Sequence, residues 1–495
     1  MSRENSPEQV PLRTKFFFGI GAAAEGTKQT AFTVFLLFYY NQVLGVSGTL
    51  SGMAIFIALC VDALSDPLVG SLSDNFHSRW GRRHPFMYSA ALPMAVCFFL
   101  LFNPPSGLGQ TGLFLWLTTW AIGVRTAMTF YVVPSSAMLP ELTSGYDERT
   151  SLVSYRYLCG WMGGLITAQM GYLYFFAPSS QFADGRLNPH AYGTFALACA
   201  VMVAAAILAS TAGTHHLIPN LHTPSHPTPF SLRRLLKELR ETLGNYSYLM
   251  LICASLFAAA AAGFQDVMGI YVGTYFWGLT TSQIAVLVYP YVVATLIGSV
   301  LARPVSQRFD KKKTVLGLAF FAIVVGPLPI FLRLLGIMRI HNTRLLLSVL
   351  LFHVLVVVTI IIMAQITIAS MLADIVDEHE LHTGKRQEGI FLSALSFTGK
   401  ATSGLGGLLA GVALDFISFP KGAQIGSVPA ETIFNLGLVV GPGMMGLHLL
   451  GLFFVSRYRI TREYHQQVLA QLAERTRRAS IVEQLTPGAS LDQSA

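Results

Sequence analysis

The sequence predicts an all-α polytopic membrane protein with twelve transmembrane helices arranged as two six-helix bundles. Three observations predict it. The composition is 53% hydrophobic and only 12% charged, apolar runs of membrane length recur along the chain, and Lys and Arg gather in short loops on alternate sides of those runs. A mean hydropathy of +0.54 is too high for a soluble enzyme of 495 residues. The short alternating segments of a membrane β-barrel are missing.

Residues 1–13 form a polar tail that leads straight into a full-length span, without a signal peptide's short apolar region and cleavage site, so the first helix is expected to stay. Spans are expected at 14–44, 51–73, 85–103, 112–134, 151–177 and 192–211, within a first bundle of residues 14–213. A polar link, 214–245, is proline-rich over 219–229. It then carries an amphipathic helical pattern over 231–241 that is expected to lie on the membrane surface. The second bundle, 246–457, has spans at 246–277, 282–306, 314–335, 345–373, 389–416 and 432–456. The tail, 458–495, reads as a polar surface helix over 464–478 and as disordered over 479–495.

Loop charge sets the orientation. Arg79, Arg82, Arg83, Arg149, Arg233, Arg234, Lys237, Arg240, Arg308, Lys311, Lys312, Lys313, Lys385, Arg386, Arg457, Arg459 and Arg462 all fall on one side, which makes both termini cytoplasmic. The net charge of +8 is thereby a matter of membrane insertion, and a nucleic-acid partner is not expected. Arg333, Arg339 and Arg344 lie on the opposite side and break the rule. The five cysteines all fall within apolar spans, with no paired spacing for a disulfide or a metal site. No cofactor is expected.

The centre of the reading is Asp62 and Asp66 in the second span. A charge at bilayer depth costs roughly 2.5 to 3.5 kcal/mol on insertion scales, so it faces a protein-lined cavity and has a task there. Four residues apart, the two carboxylates share a helical face with Ser65 beside them, and they repel unless a cation or proton sits between them. Arg125 and Asp266 also lie mid-span, each needing a partner. Glu25 and Lys28 are one turn apart in the first span and either pair with one another or face a substrate. Gln265 and Asp266, followed by Tyr271, Tyr275 and Trp277, combine polar groups with rings, the composition of a sugar site.

Gly70, Asp74, Arg79, Gly81, Arg82 and Arg83 follow the second span. A degenerate copy, Gly298, Arg303, Arg308, Asp310 and Lys311 to Lys313, follows the eighth. This repeat resembles the conformational loop of the major facilitator superfamily, and the resemblance implies two bundles rocking around a central site, with Gly70 permitting close helix approach. Within it, Asp62-Ala-Leu-Ser65-Asp66-Pro67-Leu-Val-Gly70 and Trp80-Gly81-Arg82-Arg83-His84-Pro85 look like the melibiose-permease type of glycoside–pentoside–hexuronide cation symporters. Further stretches agree: 134–143, 147–156, Leu372-Ala-Asp374-Ile-Val-Asp377, and Lys400 in Ser396-Phe-Thr-Gly-Lys400.

That resemblance implies cation-site positions at Asp62, Ser65, Asp66 and Thr129, a coupling role for Lys400 between the halves, and Arg156 among the substrate residues; Glu25, Lys28, Gln265 and Asp266 are expected to join it on their own polar placement. A sugar-binding aspartate of the family is replaced by Val132, and its first-helix Lys-Asp pair falls near Glu25 and Gly26. The expectation is a symporter of a sugar or glycoside with a monovalent cation, Na+ or H+, acting as a monomer in the cell (inner) membrane. The alternatives are a lipid-like cargo such as lysophospholipid, or a membrane sensor. An enzyme is not expected, since neither His-Glu-x-x-His nor Gly-x-Ser-x-Gly occurs and there is no phosphate loop.

Overall fold

The computed structural model describes residues 10–143, 146–220, 244–338, 343–384 and 388–485. Helices α1 (Leu12–Ile20) and α2 (Ala22–Thr30) continue through π-helical turns at Ala31–Leu36 and Tyr39–Val43 as the first span. They are followed by α3 (Gly48–Asn75), α4 (His84–Leu101), α5 (Gln110–Ala137), the short α6 (Leu139–Leu142), α7 (Tyr146–Met170) and α8 (Pro189–Thr214). The second series is α9 (Tyr246–Tyr271), α10 (Thr281–Val286) with α11 (Tyr289–Phe309), and α12 (Lys311–Val325) with α13 (Leu328–Leu334). After these come α14 (Thr343–Thr383), α15 (Glu388–Phe416), α16 (Ala430–Leu438) with α17 (Met444–Ser456), and α18 (Arg462–Leu485). Nine helices among the described residues are long and apolar enough to cross a membrane. The other three expected spans, 14–44, 151–177 and 389–416, are helical as well.

Local chemistry sets the boundaries. A glycine in the left-handed region ends the first span of each series, Gly45 at φ 72° and Gly278 at φ 66°. Two residues later a hydroxyl caps the next helix: Ser47 accepts from the Leu50 N–H at 3.1 Å, and Thr280 from the Gln283 N–H at 3.4 Å. The sequence thus repeats the same junction in both halves.

Within the first half, α3 and α4 pack on α5, α2 on α7, and α4 on α8; within the second, α9 packs on α15 and α17, and α14 on α11 and α12. The halves meet along α3 and α15. There the backbones touch: a Cβ on Gly411 would stand 2.0 Å from the Gly48 carbonyl oxygen, which only glycine permits. Gly70 does not play the part expected of it, because a Cβ there would meet nothing nearer than Val133 Cγ1 at 3.5 Å, an ordinary contact. Close approach is supplied by other glycines.

Every hydrogen bond between described residues of the two halves lies at the end of the molecule opposite the basic loops. Asp415 accepts from the N–H groups of Gly48 and Thr49 at 2.9 and 2.7 Å, crowning the start of α3. Tyr271 donates to Asn41 at 2.9 Å, Tyr275 to Gln42 at 3.3 Å, and Gln169 to the Ala285 carbonyl at 3.0 Å. Arg186, wholly buried and paired with Asp184, donates to Thr274 at 2.6 Å. Tyr271 and Tyr275 are therefore part of this seal and do not join a sugar site with Asp266.

At the basic end the ion pairs between described residues stay within a half. Arg82 and Arg83 bridge Asp74 and Glu141, while Lys311 holds Asp374 at 2.6 Å. The tail helix α18 leans on the second half: His465 meets Asp377 at 3.1 Å and Arg462 donates to the Gln307 carbonyl at 2.7 Å. This helix runs to Leu485, where disorder from residue 479 was the expectation. Ala479, Ile481, Val482, Glu483 and Gln484 sustain helix, and no Gly or Pro interrupts before Pro487. The amphipathic stretch 231–241 lies outside the described residues, as do Arg339, Lys385 and Arg386.

Candidate functional site

Asp62 and Asp66 stand one turn apart on α3, and Arg125 and Thr129 one turn apart on α5, so the tight packing of those helices sets two polar pairs face to face. Thr129 Oγ1 lies 3.0 Å from a carboxylate oxygen of Asp62 and 3.0 Å from one of Asp66. Arg125 Nη1 lies 3.3 Å from the other oxygen of Asp62. Asp62, Arg125 and Thr129 are buried and Asp66 is half-buried. Pro67, inside α3, has no N–H for the Ala63 carbonyl, which leaves one more oxygen at this level of the helix.

The hydroxyl of Thr129 has a single proton and three acceptors within reach, the two carboxylates and the Arg125 carbonyl at 3.2 Å. It can satisfy one at a time. Two carboxylates converging on one hydroxyl repel one another, and a small cation or proton has the chemistry to sit between them. Ser65 turns its hydroxyl back to the Asp62 carbonyl at 3.0 Å, giving its proton to its own helix.

Sequence reasoning marked Arg125 as a mid-span charge in need of a partner and left it out of the site. The structure gives it Asp62. Arg125 precedes Thr129 by one turn just as Asp62 precedes Asp66, but that spacing alone does not say which helix the α5 face meets. The guanidinium also lies over the Phe32 ring at 5.1 Å, so three elements hold it.

The remaining candidates are dispersed. Lys28 is buried and engaged, and Glu25 is half-buried. Arg156 donates to Ser136 at 3.0 Å and lies over Phe18 at 5.1 Å. Gln265 and Asp266 are exposed on α9, away from Tyr271 and Tyr275, which point into the seal. Trp277 packs beneath Arg333, whose guanidinium lies 4.2 Å from the Phe276 ring and 5.4 Å from that of Trp277. That stacking accommodates one arginine on the wrong side of the charge rule. Lys400 belongs to α15, but its side chain lies outside the described residues.

In the conformational loop, Gly81 has φ 73°, a backbone shape that a side chain would strain, and Arg79 lies over Trp80 at 5.9 Å. Burial pulls the pKa of Arg83 down from its usual value, and the nearby Glu141 and Asp74 oppose that shift. The loop is therefore fastened to its own half through Asp74 at the end of α3 and Glu141 on α6.

Residues 17–462 match the model of the MFS/sugar transport protein family. The isoprimeverose transporter of Lactiplantibacillus pentosus is 26% identical, with 82% of this chain and 80% of that protein covered. The inner membrane symporter YicJ of Escherichia coli is 24% identical, covering 95% and 97%. Among solved structures, a D-xylose-proton symporter superposes with a TM-score of 0.61 at 14% identity, covering 90% of this chain and 98% of that one, a likeness of fold. These are named as transporters rather than enzymes, and nine apolar helices among the described residues make this chain a multi-pass membrane protein. A match over this much of the sequence identifies the chain as a member of the MFS/sugar transport protein family.

Proposed function

We propose that the chain is a secondary active transporter that carries a sugar or glycoside together with a monovalent cation by alternating access, with both termini in the cytoplasm and, in a bacterium, in the inner membrane. The observation that carries this reading is the pair of carboxylates, Asp62 and Asp66, meeting at the Thr129 hydroxyl. Such a cluster at bilayer depth answers to a transported ion better than to stability. It lies on α3, the helix that also forms the contact between the halves, so an ion that changes the charge there changes how the halves pack. The names of the isoprimeverose transporter and the E. coli symporter support a sugar cargo and symport. Glu25, Lys28, Arg156, Gln265 and Asp266 are the residues proposed to meet it, and Lys400 the one that couples the halves.

The test is uptake by the purified chain in vesicles, with a panel of glycosides and an imposed cation gradient. The expected result is accumulation that Asp66→Asn abolishes, while exchange of cargo without a gradient survives. Accumulation of lysophospholipid and no glycoside would replace the cargo class. Unchanged cation dependence in both Asp62→Asn and Asp66→Asn would remove this pair from the mechanism.

A further inference from the structure

The symport reading leaves open which cation the site takes, and Arg125 bears on that choice. We propose that Arg125 is the resident cation of the site: its guanidinium takes the place at Asp62 that a metal ion would need, so sodium and lithium are refused. The inference rests on the reading of Asp62 and Asp66 as the ion site.

Arg125 sets the charge at Asp62. Arg125 Nη1 sits 3.3 Å from Asp62 Oδ2, and both side chains are all but closed to solvent, at 7% and 8% exposure. A guanidinium keeps its proton in proteins, so the charge of Asp62 is met permanently from within the chain. A metal ion bound by Asp62 would sit close to that fixed positive charge, in surroundings that screen it poorly.

Arg125 cannot readily step aside. It is pinned over the Phe32 ring at 5.1 Å, and its Nε has no hydrogen-bond partner among the described residues. Losing Asp62 would leave a buried guanidinium still poorer in partners, the situation that is most destabilising for a buried pair. One Asp62 oxygen faces Arg125, so a metal ion at this carboxylate would have only the other oxygen to bind.

The experiment follows thermal unfolding of the full chain in sodium, lithium or choline chloride at equal ionic strength, for the wild type and for Arg125→Gln. The wild type is expected to unfold at the same temperature in all three salts. In Arg125→Gln the Asp62 carboxylate loses its fixed counter-charge, and a sodium- or lithium-specific rise is expected, with an apparent affinity at least about tenfold tighter than any wild-type response. A sodium-specific rise in the wild type would overturn the proposal, and so would a folded Arg125→Gln protein that gains none.

Should that variant fail to fold, wild-type vesicles decide. Glycoside accumulation driven by a sodium gradient overturns the inference and leaves the symport reading intact. Accumulation driven by a pH gradient, indifferent to sodium, supports both. Sodium indifference without glycoside accumulation under either gradient supports the exclusion of sodium and sinks the sugar-symport reading.

Discussion

Arg186 and Thr274 belong to different halves of the chain, and the guanidinium of the first donates to the hydroxyl of the second at 2.6 Å. Arg186 is wholly buried, and its other nitrogens are held by Asp184 at 2.7 and 2.9 Å. The bond is made in a state sealed on the side opposite the basic loops and has to be given up when that side opens. Thr274→Val keeps the shape and removes the acceptor, which leaves a buried charged donor short of a partner at a cost of about 1 to 3 kcal/mol. The sealed state should lose population. A cysteine placed at Gly45 should then react faster with an impermeant thiol reagent than in the parent, and an unchanged rate would show that this bond does not hold the seal.

Two glycines on α3 should behave oppositely. Gly48 touches the backbone of Gly411, whereas a methyl group at Gly70 would rest 3.5 Å from Val133. Gly48→Ala would put a Cβ 2.4 Å from the Gly411 carbonyl oxygen, so it should force α3 and α15 apart at a cost of about 1 to 3 kcal/mol and sharply reduce uptake. Gly70→Ala should retain most of it. Equal losses in the two variants would contradict the packing described here.

Lys400 lies on α15, the helix that faces α3. As the coupling residue it should be dispensable for binding and required for accumulation. Lys400→Ala is expected to exchange cargo across vesicles at a near-parental rate while failing to concentrate it. Normal accumulation would end the coupling proposal, and a variant that does not fold would favour a structural pair in its place.

Orientation is checked by labelling. Cysteines at His77 and Lys312 should react with reagents applied from the cytoplasm, and one at Gly107 only from the other side. Labelling of Gly107 from the cytoplasm would invalidate the proposed topology.

The spans were legible because membrane insertion acts on composition, and composition is local. Asp62, Asp66 and Thr129 were legible too, the acids from their depth and the threonine from the family resemblance. What the sequence hid was pairing across helices. Arg125 announced itself as a charge out of place, but nothing in its spacing says that α5 turns it toward Asp62 rather than toward Asp266 on a distant helix. The aromatic run after Asp266 was ambiguous for the same reason. Tyr271 and Tyr275 have the composition of a sugar platform, and only the rotation of α9 decides that their hydroxyls go to Asn41 and Gln42. Gly70 belonged to a motif and was credited with a contact that Gly48 and Gly411 make. Which of many small residues touches a neighbour depends on where the helices cross.

The touching backbones of Gly48 and Gly411 give the molecule a fulcrum. α3 has 28 residues and begins at that contact, so its far end lies about 42 Å away at 1.5 Å per residue. A tilt of about 10° around the glycines would sweep the far end through about 7 Å while the contact itself hardly moved, a displacement within the range of hinge motions. Under the proposed reading, leverage of this kind would convert a change as small as one ion at Asp66 into an opening wide enough for a solute, and it sets a mechanical limit as well. The work done at the wide end is confined to what the few bonds around the fulcrum can bear.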